Sequence, residues 1–198
     1  MTESAVSGEE PSMDERTALG ELILFHGGEW TEADYEALPD GVRAELHDGR
    51  LILVPSPSAE HMMASGELYV RLREIVGDRR RVLQEVDVRM ADGHRYRRPD
   101  VLVLQEPARG RPMDPANVVL VCEIISPSGG GERQAKMTAY AEAGIEWYLI
   151  TEETADGYLG ELHRLRDGRY ELLVKAPPAG TLTLPAPFDS AIDLRTLS

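Results

Sequence analysis

Residues Val118 to Ile125 read VVLVCEII, a run in which only Glu123 is not apolar. A stretch this short and this rich in β-branched residues is a strand, and the lack of alternation means that both its faces are covered. VLVL at 101–104 has the same character. Two such strands call for a mixed sheet with helices on each side, which makes the fold class α/β. The helices are at hand. Ser58 is an N-cap for a helix running to Gly77, with Met62, Leu68, Leu72, Ile75 and Val76 near helical spacing, and Glu132 to Ala143 reads as another, ended by Gly144.

The flanking segments supply the rest of the sheet. Thr31 and Asp34 form a capping pattern for a short helix over TEADYEAL, stopped by Pro39-Asp40-Gly41. VRAEL and RLILV then flank His47-Asp48-Gly49 as an N-terminal β-hairpin, because Asp-Gly accepts the positive φ angles of a tight turn. RVLQEVDVRM alternates like one half-buried strand, with Val82, Val86, Val88 and Met90 on one side and Glu85, Asp87 and Arg89 on the other. EWYLIT is a further strand, and LHRL and RYELLV around Asp167-Gly168 make a closing hairpin before a proline-rich segment. Residues 1–18, acidic and poor in large apolar groups, read as a disordered tail, and 19–198 as a single domain. Met62, Met63, Tyr69, Trp147 and Tyr148 are expected to pack the interior.

Charge narrows the function. A net charge of -14, from 35 acidic and 21 basic residues, opposes indiscriminate binding to polyanions. The charge is unevenly spread, however, and residues 71–98 hold nine arginines. Cys122, the single cysteine, forms no internal disulfide and cannot nucleate a zinc cluster, which suits a reducing cytoplasm. The N-terminus lacks a signal-peptide pattern and no apolar run is long enough to span a bilayer, so a cytoplasmic protein without membrane contact is expected.

The chemistry starts at Glu123. An ionised carboxylate in an apolar strand costs at least several kcal/mol unless it is protonated, paired with a base or bound to a cation. Asp100, at the start of VLVL, poses the same conflict, and neighbouring strands bring both acids to one edge of a cleft, where a divalent cation would relieve their repulsion. Carboxylate oxygens suit Mg²⁺ or Mn²⁺. Glu45, in the first hairpin strand, is available as a third acid. The alternative for each acid is an arginine partner.

RRPDVLVL followed by VVLVCEIISPS resembles the PD-(D/E)xK motif of restriction-endonuclease-like nucleases, with Asp100 as its Asp and Glu123 as its second acid. The ordered series ELHDGRLILVPSPSAEH, RRPDVLVL, EIISPS, ERQAKMTAYAEAGIEWYLI and the closing hairpin is more specific, and resembles the Uma-two family of that superfamily from about Thr31 to the C-terminus. The resemblance implies a restriction-endonuclease-like core, metal-dependent endonuclease action on DNA and a homodimer. The lysine usually found two residues beyond the second acid is replaced by Ile125, and similar families supply the amine from the next helix. Here that is Lys136, which helical spacing puts on one face with Glu132 and Tyr140. The catalytic set implied is Asp100, Glu123, Lys136 and Glu45, the three acids holding Mg²⁺ or Mn²⁺. Substrate contacts fall to His61, Tyr140 and Arg98, with Arg97 beside it. For His61 a structural role, and for the arginines a surface role, stand as the alternatives. A catalytically silent chain that binds nucleic acid or a protein partner is the competing function, kept open by Ile125 and the acidic net charge.

Overall fold

The computed structural model describes residues 20, 21, 23, 26–39, 42–54, 56–90, 95–105, 112–126 and 133–197. The expected tail, the turn at Asp92-Gly93, and Pro127, Ser128 and Glu132 lie outside these residues. In chain order the elements are α1 (Glu32–Glu36), β1 (Ala44–His47), β2 (Arg50–Leu53), α2 (Ala59–Val76), β3 (Arg81–Gln84), β4 (Val88–Arg89), β5 (Tyr96–Arg97) and β6 (Val101–Leu104). They continue with β7 (Val118–Ile125), α3 (Arg133–Glu142), β8 (Trp147–Thr154), β9 (Gly157–Arg166), β10 (Arg169–Ala176), β11 (Thr181–Leu184) and β12 (Ser190–Asp193).

The apolar runs sit where continuous apolarity requires. β6 and β7 are interior strands of a six-stranded sheet of order β10-β9-β8-β7-β6-β3. It is mixed, because β7 and β8 are parallel while the other pairs are antiparallel. On one face Val101, Val103, Cys122 and Ile124 pack with Leu68 and Leu72 of α2. On the other, Leu102, Leu104 and Val121 pack with Ala139 and Tyr140 of α3. Side chains alternate along a strand, so Glu123 shares the α3 face with Val121.

The caps act as the sequence indicates. Asp34 N–H donates to Thr31 Oγ1 at 3.2 Å while Thr31 N–H donates to Asp34 Oδ2 at 2.9 Å, closing the capping box of α1. Ser58 Oγ accepts from His61 N–H at 3.2 Å, which fixes the start of α2 and the position of His61 in its first turn. Asp48 and Gly49 have φ of 49° and 72°, and a Cβ at Gly49 would come within 2.9 Å of the Glu29 side chain. Only glycine fits that turn.

Three expectations are corrected. RVLQEVDVRM is not one strand: β3 ends at Gln84, Glu85 turns the chain with φ 51°, and β4 joins β2-β1-β5-β4 in a second sheet. The turn brings Glu85 N–H to the Asp100 carbonyl at 3.3 Å and buries Asp87 against Arg98, tertiary contacts that override the alternation. Met62 and Met63 are 48% and 61% exposed, because α2 presents Ala64, Ser65, Leu68, Leu72 and Val76 to the core instead. The proline-rich segment also carries the β11–β12 hairpin, where TLTL buries Leu182 and Leu184 and exposes its threonines. Tyr148 and Trp147 are buried as expected. Among the described residues no helix is long and apolar enough to cross a membrane.

Candidate active site

The antiparallel pairing of β6 with β7 sets Val101 opposite Cys122. Asp100 and Glu123 therefore neighbour each other at one edge of the sheet, lining a cleft of about 510 Å³ together with Glu45, His61, Arg98 and Lys136. The two acids are held differently. Asp100 Oδ1 lies 3.0 Å from His61 Nε2, and Oδ2 accepts from Ile124 N–H at 2.7 Å. Glu123 is almost wholly buried, with Oε2 accepting from Lys136 Nζ at 2.8 Å and Oε1 from Tyr140 O–H at 2.6 Å. Helix α3 thus presents amine and phenol together to the second acid, four residues apart on one face.

Burial pushes the Glu123 carboxyl up to about 7, and the nearby Asp100 carboxylate adds to the rise against the opposing pull of Lys136. Lys136 is held charged, its desolvation outweighed by Glu123, Glu45 and Asp100. The hydrogen bond that His61 Nε2 makes to the Asp100 carboxylate likewise raises His61. The Glu123 shift has a measurable sign. A carboxyl whose folded value exceeds its ordinary 4.5 stabilises the fold fully below that value and loses the contribution as pH rises through about 7. In chelating buffer, thermal unfolding should therefore show stability falling between about pH 4.5 and 7, relative to Glu123→Gln, which cannot ionise. Parallel profiles for the two proteins would contradict this.

Glu45 is engaged elsewhere. Its Oε2 accepts from Arg97 Nη1 at 2.7 Å and its Oε1 from Arg98 N–H at 3.2 Å, both side chains of the Glu45–Arg97 pair being buried. Arg98 is bound through Nε and Nη2 to Asp87 at 2.7 and 3.2 Å. Arg97 is thus withdrawn from the surface, whereas Arg98 still lines the cleft.

Three further residues reach the cleft unannounced by the sequence. Glu85 is paired with Arg43 through two hydrogen bonds of 2.5 and 3.1 Å. Arg133 of α3 extends from the cleft wall to Glu152 and Glu161. Tyr148 is fully buried, yet its hydroxyl has no hydrogen-bond partner among the described residues. A buried tyrosine with an unsatisfied hydroxyl at a cleft wall was a signal only in hindsight of the fold, since EWYLIT reads simply as a strand.

Among the described residues no three of His, Cys, Asp and Glu gather closely enough to enclose an ion. Mg²⁺, however, is ordinarily held by one or two carboxylates with the remaining positions left to water and substrate phosphate. Asp100 and Glu123 fit that pattern: two oxygen donors on one cleft, the second disfavoured as an anion by burial and by its neighbour.

The solved structure of a protein titled "a putative nuclease belonging to DUF820", from Anabaena variabilis ATCC 29413, superposes with a TM-score of 0.65, covering 84% of this chain and 96% of that one at 17% identity. At that identity the likeness establishes the fold, the restriction-endonuclease-like α/β architecture. No curated protein matches the chain. The Uma2 family model, described as "Putative restriction endonuclease", matches residues 32–196, which take in both acids, Lys136 and every described strand. This chain belongs to the Uma2 family.

Proposed function

We propose that this protein hydrolyses phosphodiester bonds in DNA in a reaction that requires Mg²⁺ or Mn²⁺. The observation that carries the reading is the convergence of Asp100, Glu123 and Lys136 on one cleft in a chain of this family. Asp100 and Glu123 are the two residues that would hold the ion, which when bound supplies Lewis acidity and activates water for attack on phosphorus.

The chain's own groups do the rest. Lys136, an ammonium at neutral pH, donates to a phosphate oxygen as negative charge develops on it, and its alignment on Glu123 means no reorganisation is needed at that moment. Tyr140 O–H orients the Glu123 carboxylate, and Ile124 N–H with His61 orients that of Asp100. Among the described residues Tyr148 O–H has no acceptor, which leaves it as a donor at the cleft wall. Glu45 acts through Arg97 and the Arg98 backbone, positioning the segment that leads into Asp100. Because the amine arrives from α3, Ile125 at the strand position leaves no gap in this set.

The test uses the full chain with supercoiled plasmid. Mg²⁺ or Mn²⁺ should produce nicked and linear product, and chelator none. The same ions should raise the melting temperature: saturation to 100 times Kd adds about 2.7 kcal/mol, or roughly 5–10 °C at about 2–4 °C per kcal/mol for a chain of this size. Absence of both effects would leave the silent, binding-only reading in possession of the field.

A further inference from the structure

Most described arginines of this acidic chain lie against a carboxylate, among them Arg43, Arg71, Arg89, Arg95, Arg97 and Arg98. Arg73, Arg79, Arg80 and Arg81 have no such partner among the described residues, although Asp78 stands within their own run. They are gathered by the end of α2 and the start of β3, and all four line one groove of about 340 Å³. Two of them are held by rings rather than acids. The Arg73 guanidinium lies 5.9 Å from the centre of the Tyr69 ring, with Nη1 3.5 Å from the Tyr69 hydroxyl, and that of Arg80 lies 6.0 Å from the centre of Phe188. A cation on an aromatic face is positioned without being neutralised. Arg73, Arg79 and Arg81 are exposed and Arg80 is half-buried.

Clustering like charges is unfavourable, and with 35 acids in the chain a neutralising partner for each would be the cheaper surface. What the arrangement suits is a ligand that brings regularly spaced negative charges of its own. Helix α2 links this groove to the catalytic cleft: His61 in its first turn lines the cleft and Arg73, toward its other end, lines the groove, about 18 Å along the axis. That distance is roughly five base pairs of duplex at about 3.4 Å each.

We infer that the groove formed by Arg73, Arg79, Arg80 and Arg81 is a docking site for the phosphate backbone of duplex DNA flanking the bond held in the cleft. The choice of DNA as the polyanion rests on the proposed nuclease function. The site supplies the local positive field that the whole chain lacks, and it contributes affinity without reading sequence, since guanidinium contacts to phosphate position a duplex but carry no base information.

The experiment measures binding of a fluorescent duplex to the full chain in chelating buffer, where no cleavage occurs, as a function of salt. Each phosphate contact contributes about 0.9 to the slope of log affinity against log salt. The R79A/R80A/R81A variant should lose about two to three units of slope and bind at least about tenfold more weakly at low salt, with a melting temperature lowered by no more than the few degrees that loss of the Arg80–Phe188 contact accounts for. The R79K/R80K/R81K variant, which keeps the charges, should retain most of the slope. An unchanged slope in the alanine variant, or a wild-type chain that does not bind the duplex at all, overturns the inference. So does a lysine variant as weak as the alanine one. Plasmid cleavage is read separately: a chain that binds through these arginines but never cuts would fail the proposed function and leave the docking site standing.

Discussion

Glu123→Gln is expected to abolish plasmid cleavage, by at least about 10³-fold, the upper range for removal of a single preorganised group, while leaving the metal-free protein at neutral pH at least as stable as before. The amide keeps the shape of the carboxyl. Its oxygen still accepts from Lys136 Nζ and its nitrogen faces the Tyr140 oxygen, so both contacts, at 2.8 and 2.6 Å, survive in kind. What is lost is the anion, and with it one of the two charges that would hold the ion. The stabilisation by Mg²⁺ or Mn²⁺ should therefore shrink in parallel with the activity. Retained cleavage in this variant would falsify the assignment of Glu123.

Glu123→Ala behaves differently, and the difference comes from a contact invisible in the sequence. A buried acid viewed alone is an electrostatic liability whose removal should leave the fold intact or even help it. In the fold, that acid is the closest partner of Lys136, whose side chain is itself mostly withdrawn from water. Breaking a buried ion pair by deleting one member costs about 3–5 kcal/mol. Lys136 keeps Asp100 and Glu45 nearby, which favours the low end. At about 2–4 °C per kcal/mol the melting temperature should fall by roughly 6–12 °C. Calorimetric unfolding of the alanine and glutamine variants side by side separates the two roles of the residue. If both unfold at the wild-type temperature, the Lys136 pair carries no weight in stability.

The same contrast marks how far the sequence reaches. Strand character at 101–104 and 118–125, the ends of α2 and the Asp48-Gly49 turn follow from local rules of alternation, capping and backbone angle, and each reappears in the fold. The neighbourhood of Asp100 and Glu123 was legible too, because two apolar strands with an acid at the same edge have few ways to pair. The switch at Glu85 was not. Nothing in RVLQEVDVRM signals a positive φ at a glutamate; the turn is imposed by the Asp100 carbonyl and by the burial of Asp87 with Arg98, partners distant in the chain. Met62 and Met63 were misplaced for a related reason. Periodicity identifies a helical face, but Met62 and Met63 lie off the one that carries Ala64, Ser65, Leu68 and Leu72, so the two methionines remain in solvent.

Glu45→Ala is expected to be as damaging to the fold as to the chemistry. Both its oxygens are occupied, by the Arg97 guanidinium and the Arg98 backbone, and Arg97 Nε is already buried without a partner. Removing the acid leaves a buried guanidinium, which cannot lose its proton, without its carboxylate partner. A loss of about 3–5 kcal/mol is expected. Replacing the pair with apolar residues, as in E45M/R97M, should recover much of it, since well-packed apolar groups often substitute for a buried ion pair without net cost. Activity then distinguishes the two roles. If Glu45 acts through Arg97 to seat the Asp100 segment, the refolded double variant should bind Mg²⁺ or Mn²⁺ with near wild-type affinity by calorimetry and regain part of its turnover. If it is instead a third ligand to the ion, metal affinity should stay low in the double variant despite restored stability, because no apolar side chain can replace a carboxylate oxygen.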